Sequence, residues 1–408
     1  MRKCSSLFTR IFTVAAAAVL LLSCVPVSVG AAKTKLYVFN CGDYIADTTI
    51  EKFETAYPEY EVVYEVFDTN EAMYQKLVSS NIPYDVLIPS DYMIERLIKE
   101  NRLKEIDMTQ LENYHYIGEA YKNTSYDPEN KYSVPYMWGT LGILYNKEKV
   151  DDVVDSWSIL WNEKYKGQIL MLDSMRDSMA VALEKLGYSM NTTNESEINE
   201  AAQALIEQKP LVAEYGVDIL KDKMIQGSYA FTVAYSGDAL YMQNQNAELN
   251  GGESVLEYVI PKEGSNFWID AMCIPTTSQN TEGAMKFIDF MCSTEIAFDN
   301  VEYIEYSTPH TEALQQLGEE YINNAIYNPS AEILENCDSF YYLEPEVQEL
   351  YNKAWESVRL ASATQTESDS GGGSWKLIAG IAAAAVIIVA IIIFVLYKKK
   401  MNRIKYEE

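Results

Sequence analysis

The sequence predicts an α/β protein of two lobes, preceded by a secretory leader and followed by a membrane anchor. Three observations predict this. Buried-strand runs alternate with helical periods from Leu36 onward, and the alternation resumes after Trp138. The two chain ends carry apolar stretches of different length and different flanking charge.

The leader comes first. Arg2, Lys3 and Arg10 precede an apolar stretch from Ile11 to Leu22, which is short for a membrane span. A basic start and a short apolar core make residues 1–32 a signal peptide. Two processing sites compete. Leu21-Leu22-Ser23-Cys24 resembles a lipobox that would lipidate Cys24, and Val29-Gly30-Ala31-Ala32 suits ordinary signal peptidase. The second is favoured because the far end already supplies an anchor.

In the first lobe, Leu36–Phe39 reads as a buried strand, and Ile50, Phe53 and Tyr57 mark a helix that Pro58 stops. Val62–Val66 is a second strand, followed by a helix through Met73, Leu77 and Val78. Asp85–Ile88 is a third strand closed by Pro89, and Ile94, Leu97 and Ile98 mark the next helix. This spacing implies a parallel sheet covered on both faces. In the second lobe, Ile169–Leu172 is a strand, and Met179, Ala180, Leu183 and Leu186 line a helix that Gly187 ends. Tyr229–Ala234, Tyr258–Ile260 and Trp268–Ile274 are strand-like, and a helix through Ala284, Phe287, Ile288 and Met291 follows. Each lobe is expected to have its own sheet.

Residues 363–376 are rich in Ser, Thr and Gly and read as a flexible tether. Leu377–Leu396 is an uncharged run close to the ~20 residues a spanning helix needs. Trp375 and Tyr397 border it, which gives a transmembrane segment over 377–397. Lys398, Lys399, Lys400, Arg403 and Lys405 place the tail, residues 398–408, in the cytoplasm and all that precedes outside.

The formal net charge of -28 disfavours nucleic acid and anionic ligands and attracts cations. The 31 tyrosines offer faces that attract ammonium groups. Cys41, Cys273, Cys292 and Cys337 have no metal-knuckle spacing and are expected as free thiols. The two histidines, His115 and His310, lack the company a metal site needs, so no metal and no cofactor is predicted. No nucleophile elbow, P-loop or dinucleotide fingerprint occurs, which speaks against an enzyme.

Ligands of open α/β sheets bind beyond the carboxyl ends of the strands. Those ends carry Asn40–Tyr44, Pro89–Tyr92, Asp173–Asp177 and Tyr235–Asp238, and Trp268 and Asp270 begin a further strand. Carboxylates recur beside aromatics there. Carboxylates bind amines by charge-assisted hydrogen bonds, and aromatic faces add roughly 0.5–2 kcal/mol per cation–π contact. Each Asp of Asp43, Asp91 and Asp173 has a plainer reading as a helix cap, so it is the recurrence that points to a cationic ligand.

Seven strings then carry a resemblance from about Leu36 to about Ala361. They are Leu36–Asn40 with Asp43-Tyr44; Tyr84–Ser90; Tyr132–Gly139; Asp155–Trp157; Lys185–Ser189; Ile260–Gly264; and Phe267–Asp270. In order and spacing they resemble the spermidine/putrescine-binding proteins of polyamine ABC transporters. The resemblance implies a two-lobed periplasmic-binding-protein fold of type II. It puts 33–139 with 268–305 in the first lobe and 140–267 with 306–362 in the second. It implies a monomer that closes on a polyamine and docks on a permease driven by an ATPase, outside the cytoplasm. Carried over residue by residue, Asp43, Tyr44, Ser90, Tyr92, Ser174, Asp177, Tyr235, Trp268, Asp270 and Tyr306 line the cleft. Asp270 and Asp177 would anchor amines, and Tyr92, Tyr235, Trp268 and Tyr306 would box the methylenes. Cys41 stands where the family has a Trp, Ser174 where the spermidine type has an Asp, Asp177 for a Glu, and Tyr235 for a Trp. One amine anchor is thereby lost or passes to Asp173, which favours a shorter ligand. A membrane-tethered receptor of the same fold for another organic cation is the alternative.

Overall fold

The computed structural model describes residues 32–361. The predicted signal segment (save Ala32), the tether, the membrane span and the cytoplasmic tail lie outside the described residues. Among the described residues no helix is long and apolar enough to cross a membrane.

Ten strands are described: β1 (Thr34–Cys41), β2 (Tyr60–Phe67), β3 (Val86–Leu87), β4 (Ser133–Asn146), β5 (Ile169–Leu172), β6 (Val212–Gly216), β7 (Phe231–Tyr235), β8 (Leu256–Val259), β9 (Ser265–Cys273) and β10 (Cys337–Asp338). In the first lobe β1 pairs in parallel with β2 and β3, and β9 joins antiparallel to β3 and β4. In the second lobe β5 pairs in parallel with β6 and β7, while β4 runs antiparallel to β7 and β8. The sheets are therefore mixed, where the alternation alone predicts parallel ones. A strand covered on both faces reads as an apolar run whichever way it points, so its direction leaves no mark on composition.

The sheets are also not separate. β4 pairs with β9 from Ser133 to Thr140, then with β7 from Leu141 onward, so one strand belongs to both lobes. Sequence reading finds no strand here because Pro135, Gly139 and Gly142 interrupt the run. Each has its place. Pro135 lies at a register shift. A Cβ on Gly139 would come within 2.6 Å of the Trp268 ring, and one on Gly142 within 2.5 Å of the Tyr258 ring. Both glycines let an aromatic ring lie against bare backbone.

Side chains alternate across each sheet and fill two cores per lobe. Leu36 and Val38 of β1 face Phe53, Phe287 and Ile288, while Phe39 points to Met73, Leu87 and Ile94 on the other side. In the second lobe Ile169 and Met171 join Trp157, Phe231, Leu205 and Tyr351, and Leu170 turns to Leu144, Met224 and Leu256. Helices Glu195–Gln208, Ser236–Leu249, Thr294–Ile304 and Pro345–Leu360 complete the layers; none was legible in advance.

The chain after Tyr306 differs from expectation. Leu314, Leu317, Tyr321, Ile326 and Tyr327 pack on the first-lobe core, and Thr311 Oγ1 donates to the Tyr116 carbonyl at 3.0 Å. Only from Leu343 onward, with Tyr351, Ala354, Trp355 and Val358, does the chain join the second-lobe core. The expected assignment of 306–362 to the second lobe thus fails for its first half. The apolar helical spacing of Ala313, Leu314 and Leu317 says that a helix has a buried face, not which core receives it.

Phe53 is fully buried, with ring centroids at 5.0 Å from Tyr57, 5.1 Å from Phe287 and 5.4 Å from Phe290. Phe53→Ala is expected to cost about 3–5 kcal/mol, measured as a shift in urea unfolding monitored by tryptophan fluorescence.

Candidate functional site

A cleft of about 760 Å³, counted out to its open mouth, lies between the lobes. It is lined by the turns after β1, β2, β3, β5, β6 and β7, by β9, and by Tyr306 and Phe340. All ten residues named from the resemblance line it.

β9 supplies the floor. Trp268 and Asp270 are two apart on a strand and so share a face. Trp268 meets Tyr306 at 5.5 Å and Tyr235 edge-on at 6.1 Å, and Tyr44 meets Tyr306 edge-on at 5.1 Å. A Cβ on Gly237 would sit 2.1 Å from the Tyr306 ring, so this box too needs a glycine beneath it. The Asn40 amide donates to the Tyr44 carbonyl at 3.0 Å, and Asn40 Oδ1 accepts from the Cys41 amide at 2.8 Å. These bonds fix the first turn, where Asp43 adopts a positive φ of 47°. On the far side, the Tyr92 ring meets Phe340 edge-on at 5.6 Å.

The charges are unbalanced. Asp43, Asp68, Glu71, Asp177, Asp218, Asp238 and Asp270 line the cleft against the single ammonium of Lys221. Asp177 accepts from Ser174 Oγ at 2.5 Å and from the Tyr235 hydroxyl at 2.8 Å, which are neutral donors. Asp270 Oδ1 has no hydrogen-bond partner, and neither do Trp268 Nε1 or Asn266 Oδ1. Buried polar groups left unpaired are rare in folded proteins, and these converge on one space. Burial pushes the Asp270 carboxyl up to about 6, against the Ser90 and Tyr44 hydroxyls that favour its charge. Burial likewise raises Asp177, opposed by Ser174 and Tyr235. It raises Glu71, opposed by the Arg176 guanidinium, and Asp238, opposed by Lys221.

Several residues differ from the sequence reading. Asp173 is exposed and off the cleft lining, so the anchor missing at Ser174 does not pass to it. Asp91 is not the cap residue of its helix, a position held by Ser90: its buried carboxylate accepts from the Tyr92 amide at 2.7 Å and from the Ile269 amide of β9 at 3.2 Å. The carboxylate of Asp43 is 69 % exposed and faces Lys221 at 3.5 Å. Glu71, Asp218 and Lys221 were not named in advance, and Asp238 was named only within the strand end Tyr235–Asp238, not as a cleft residue. Glu71 sits in the first turn of helix Asn70–Ser79, where an acid normally serves the helix dipole, yet it accepts from the Tyr92 hydroxyl at 3.0 Å. Asp238 lines the cleft beside Tyr235, from the strand end that the rule picked out. Nothing local marks Asp218 or Lys221. Cys41, Cys273, Cys292 and Cys337 are all unpaired thiols.

An enclosed space with excess carboxylates, unpaired acceptors and a wall of rings suits an organic cation with an apolar body. A profile of bacterial extracellular solute-binding proteins matches residues 48–329. The chain belongs to that family. Salmonella typhimurium has a spermidine/putrescine-binding periplasmic protein 34% identical over 301 residues, covering 73% of this chain and 84% of the relative. A putrescine-binding periplasmic protein of Pseudomonas aeruginosa is 31% identical over 337 residues, covering 79% and 91%. A solved structure from Listeria monocytogenes, described as a spermidine/putrescine ABC transporter, superposes with a TM-score of 0.76 at 38% identity and covers 80% of this chain and 99% of its own. This solute-binding protein therefore has the two-lobed periplasmic-binding-protein fold.

A carboxyl whose pKa is higher folded than unfolded holds its proton more tightly when folded. The ligand-free protein thus loses stability as pH rises from about 4 to about 6 and does not regain it above. For Asp270 that loss is on the order of 3 kcal/mol. Asp270→Asn is expected to raise the melting temperature of ligand-free protein at pH 7 and to change it little at pH 4.

Proposed function

We propose that this chain captures a polyamine outside the cytoplasm and delivers it to an ABC permease driven by an ATPase, without transforming it. The observation that carries this reading is the pairing of uncompensated carboxylates, Asp177 and Asp270, with the Trp268, Tyr235, Tyr306 and Tyr44 rings in one cleft. Each carboxylate can take an ammonium, and the rings can cover the methylenes between. The names of the relatives, spermidine/putrescine-binding and putrescine-binding, point the same way. A monomer suffices, because one chain supplies every wall of the cleft.

Calorimetric titration with putrescine, spermidine and spermine tests the reading. Saturable binding of at least one amine at micromolar concentration or below is expected. Asp270→Asn is expected to weaken it ~100-fold, about 2.7 kcal/mol, a size typical of truncating one member of a buried charge pair. Absence of binding to all three amines would refute it.

The tethered arrangement belongs to the same proposal. Leu377–Leu396 would hold the lobes at the outer membrane face near the permease, raising their effective concentration there. Full chain is expected in the membrane fraction and resistant to salt extraction, whereas a chain ending at Ala361 is expected in the soluble fraction; salt-extractable full chain would contradict the anchor.

A further inference from the structure

Lys221 is a cation built into a cleft that otherwise gathers acids. Its side chain is 12 % exposed. Its ammonium lies 2.9 Å from Asp218 Oδ1, 2.9 Å from Asp238 Oδ1 and 3.5 Å from Asp43 Oδ2. An ammonium has three donors and no acceptor, so three carboxylate oxygens complete it. Asp43 comes from the turn after β1 and the other two from the second lobe, so the arrangement closes that end of the cleft. Gly42 brings the lobes still closer: a Cβ there would meet Asp218 Oδ2 at 2.6 Å. Burial works against the Lys221 charge, but Asp238 and Asp218 outweigh it and hold the ammonium above its ordinary range.

The carboxylates of the cleft thus differ in what they already hold, and Asp68 and Glu71 line it too, Glu71 accepting from the Tyr92 hydroxyl. Asp43, Asp218 and Asp238 already surround a cation. Asp177 has only hydroxyl donors, and Asp270 keeps an unpaired oxygen. We infer that Lys221 occupies the subsite a third ligand ammonium would need and so restricts the cleft to diamines. This rests on the polyamine reading and deepens it. A diamine places one charge at Asp270 and one at Asp177. A triamine whose third charge extends toward the Lys221 ammonium meets like charge in a partly desolvated space, and the carboxylates at that end, Asp43, Asp218 and Asp238, are already paired. Selectivity here comes from a repulsive element as well as from attractive ones.

The test uses the full chain in lipid nanodiscs, titrated with putrescine, spermidine and spermine, as wild type, Lys221→Met and Lys221→Gln. Wild type is expected to bind putrescine at least tenfold tighter than spermidine. Both substitutions are expected to tighten spermidine at least tenfold relative to putrescine, because they remove the charge and free three carboxylates. Lys221→Arg, which keeps the charge, is expected to retain the wild-type order. A wild type that prefers spermidine overturns the inference without any variant. So does a spermidine-to-putrescine ratio within threefold of wild type in both neutral variants, or an equal weakening of all amines, which would make Lys221 only a strap between lobes. In each of those cases amine binding itself survives, and with it the polyamine reading. Wild type that binds none of the three removes both.

Discussion

Asp270 sits on β9 beneath a cleft between two lobes, with one carboxylate oxygen unpaired and its charge disfavoured by burial. Asp177 faces the same space with hydroxyls as its only donors. Charge buried without a counter-ion lowers the stability of the ligand-free protein, and the surrounding fold must hold it there. Two cores per lobe, packed on both faces of each sheet, provide that rigidity. The strain of the empty site becomes affinity when a cation enters, since pairing relieves the cost that burial imposed. The same argument applies to Trp268 Nε1, which is unpartnered on the same wall.

The aromatic box depends on what lies under it. Tyr306 and Trp268 can reach their places only because Gly237 and Gly139 carry no side chain; a Cβ at either position would overlap a ring. Backbone on one side and neighbouring rings on the other leave these aromatics little rotational freedom. A ligand that inserts its methylenes between them therefore loses its own freedom but does not have to order theirs.

Connection between the lobes runs through few elements. β4 passes from one sheet into the other at Thr140, beside β9. Where the chain returns to the second lobe before Leu343, Arg176 is buried and donates to the Tyr341 carbonyl at 3.2 Å and to Asn191 Oδ1 at 3.0 Å, with its guanidinium 4.3 Å from the Phe340 ring and 5.0 Å from Tyr92. The Tyr342 amide donates to Glu95 Oε2 at 2.8 Å, tying the same segment to the first lobe. Lys221 holds the opposite end. Closure is thus set by polar contacts that can part and reform, whereas each lobe is held by apolar packing that cannot part cheaply.

The sequence by itself determined the strand–helix alternation, most strands of both lobes and the residues at their carboxyl ends. Those features are local: Leu36–Phe39 of β1 and all of β5 are continuous apolar runs, Gly187 ends its helix with a positive φ of 78°, and an aromatic next to an acid at a strand end can be read in place. Tertiary structure decided the rest. Strand direction in β9 and the shared strand β4 follow from pairing, which apolar composition does not encode. The allegiance of Leu314–Tyr327 to the first core depends on where the chain has room to pack. Lys221 and Asp218 join Asp43 only when two lobes bring together residues 178 positions apart. An acid or a lysine on a surface turn looks the same in sequence whether it meets water or another charge, because the partner that gives it meaning lies across the cleft and not along the chain.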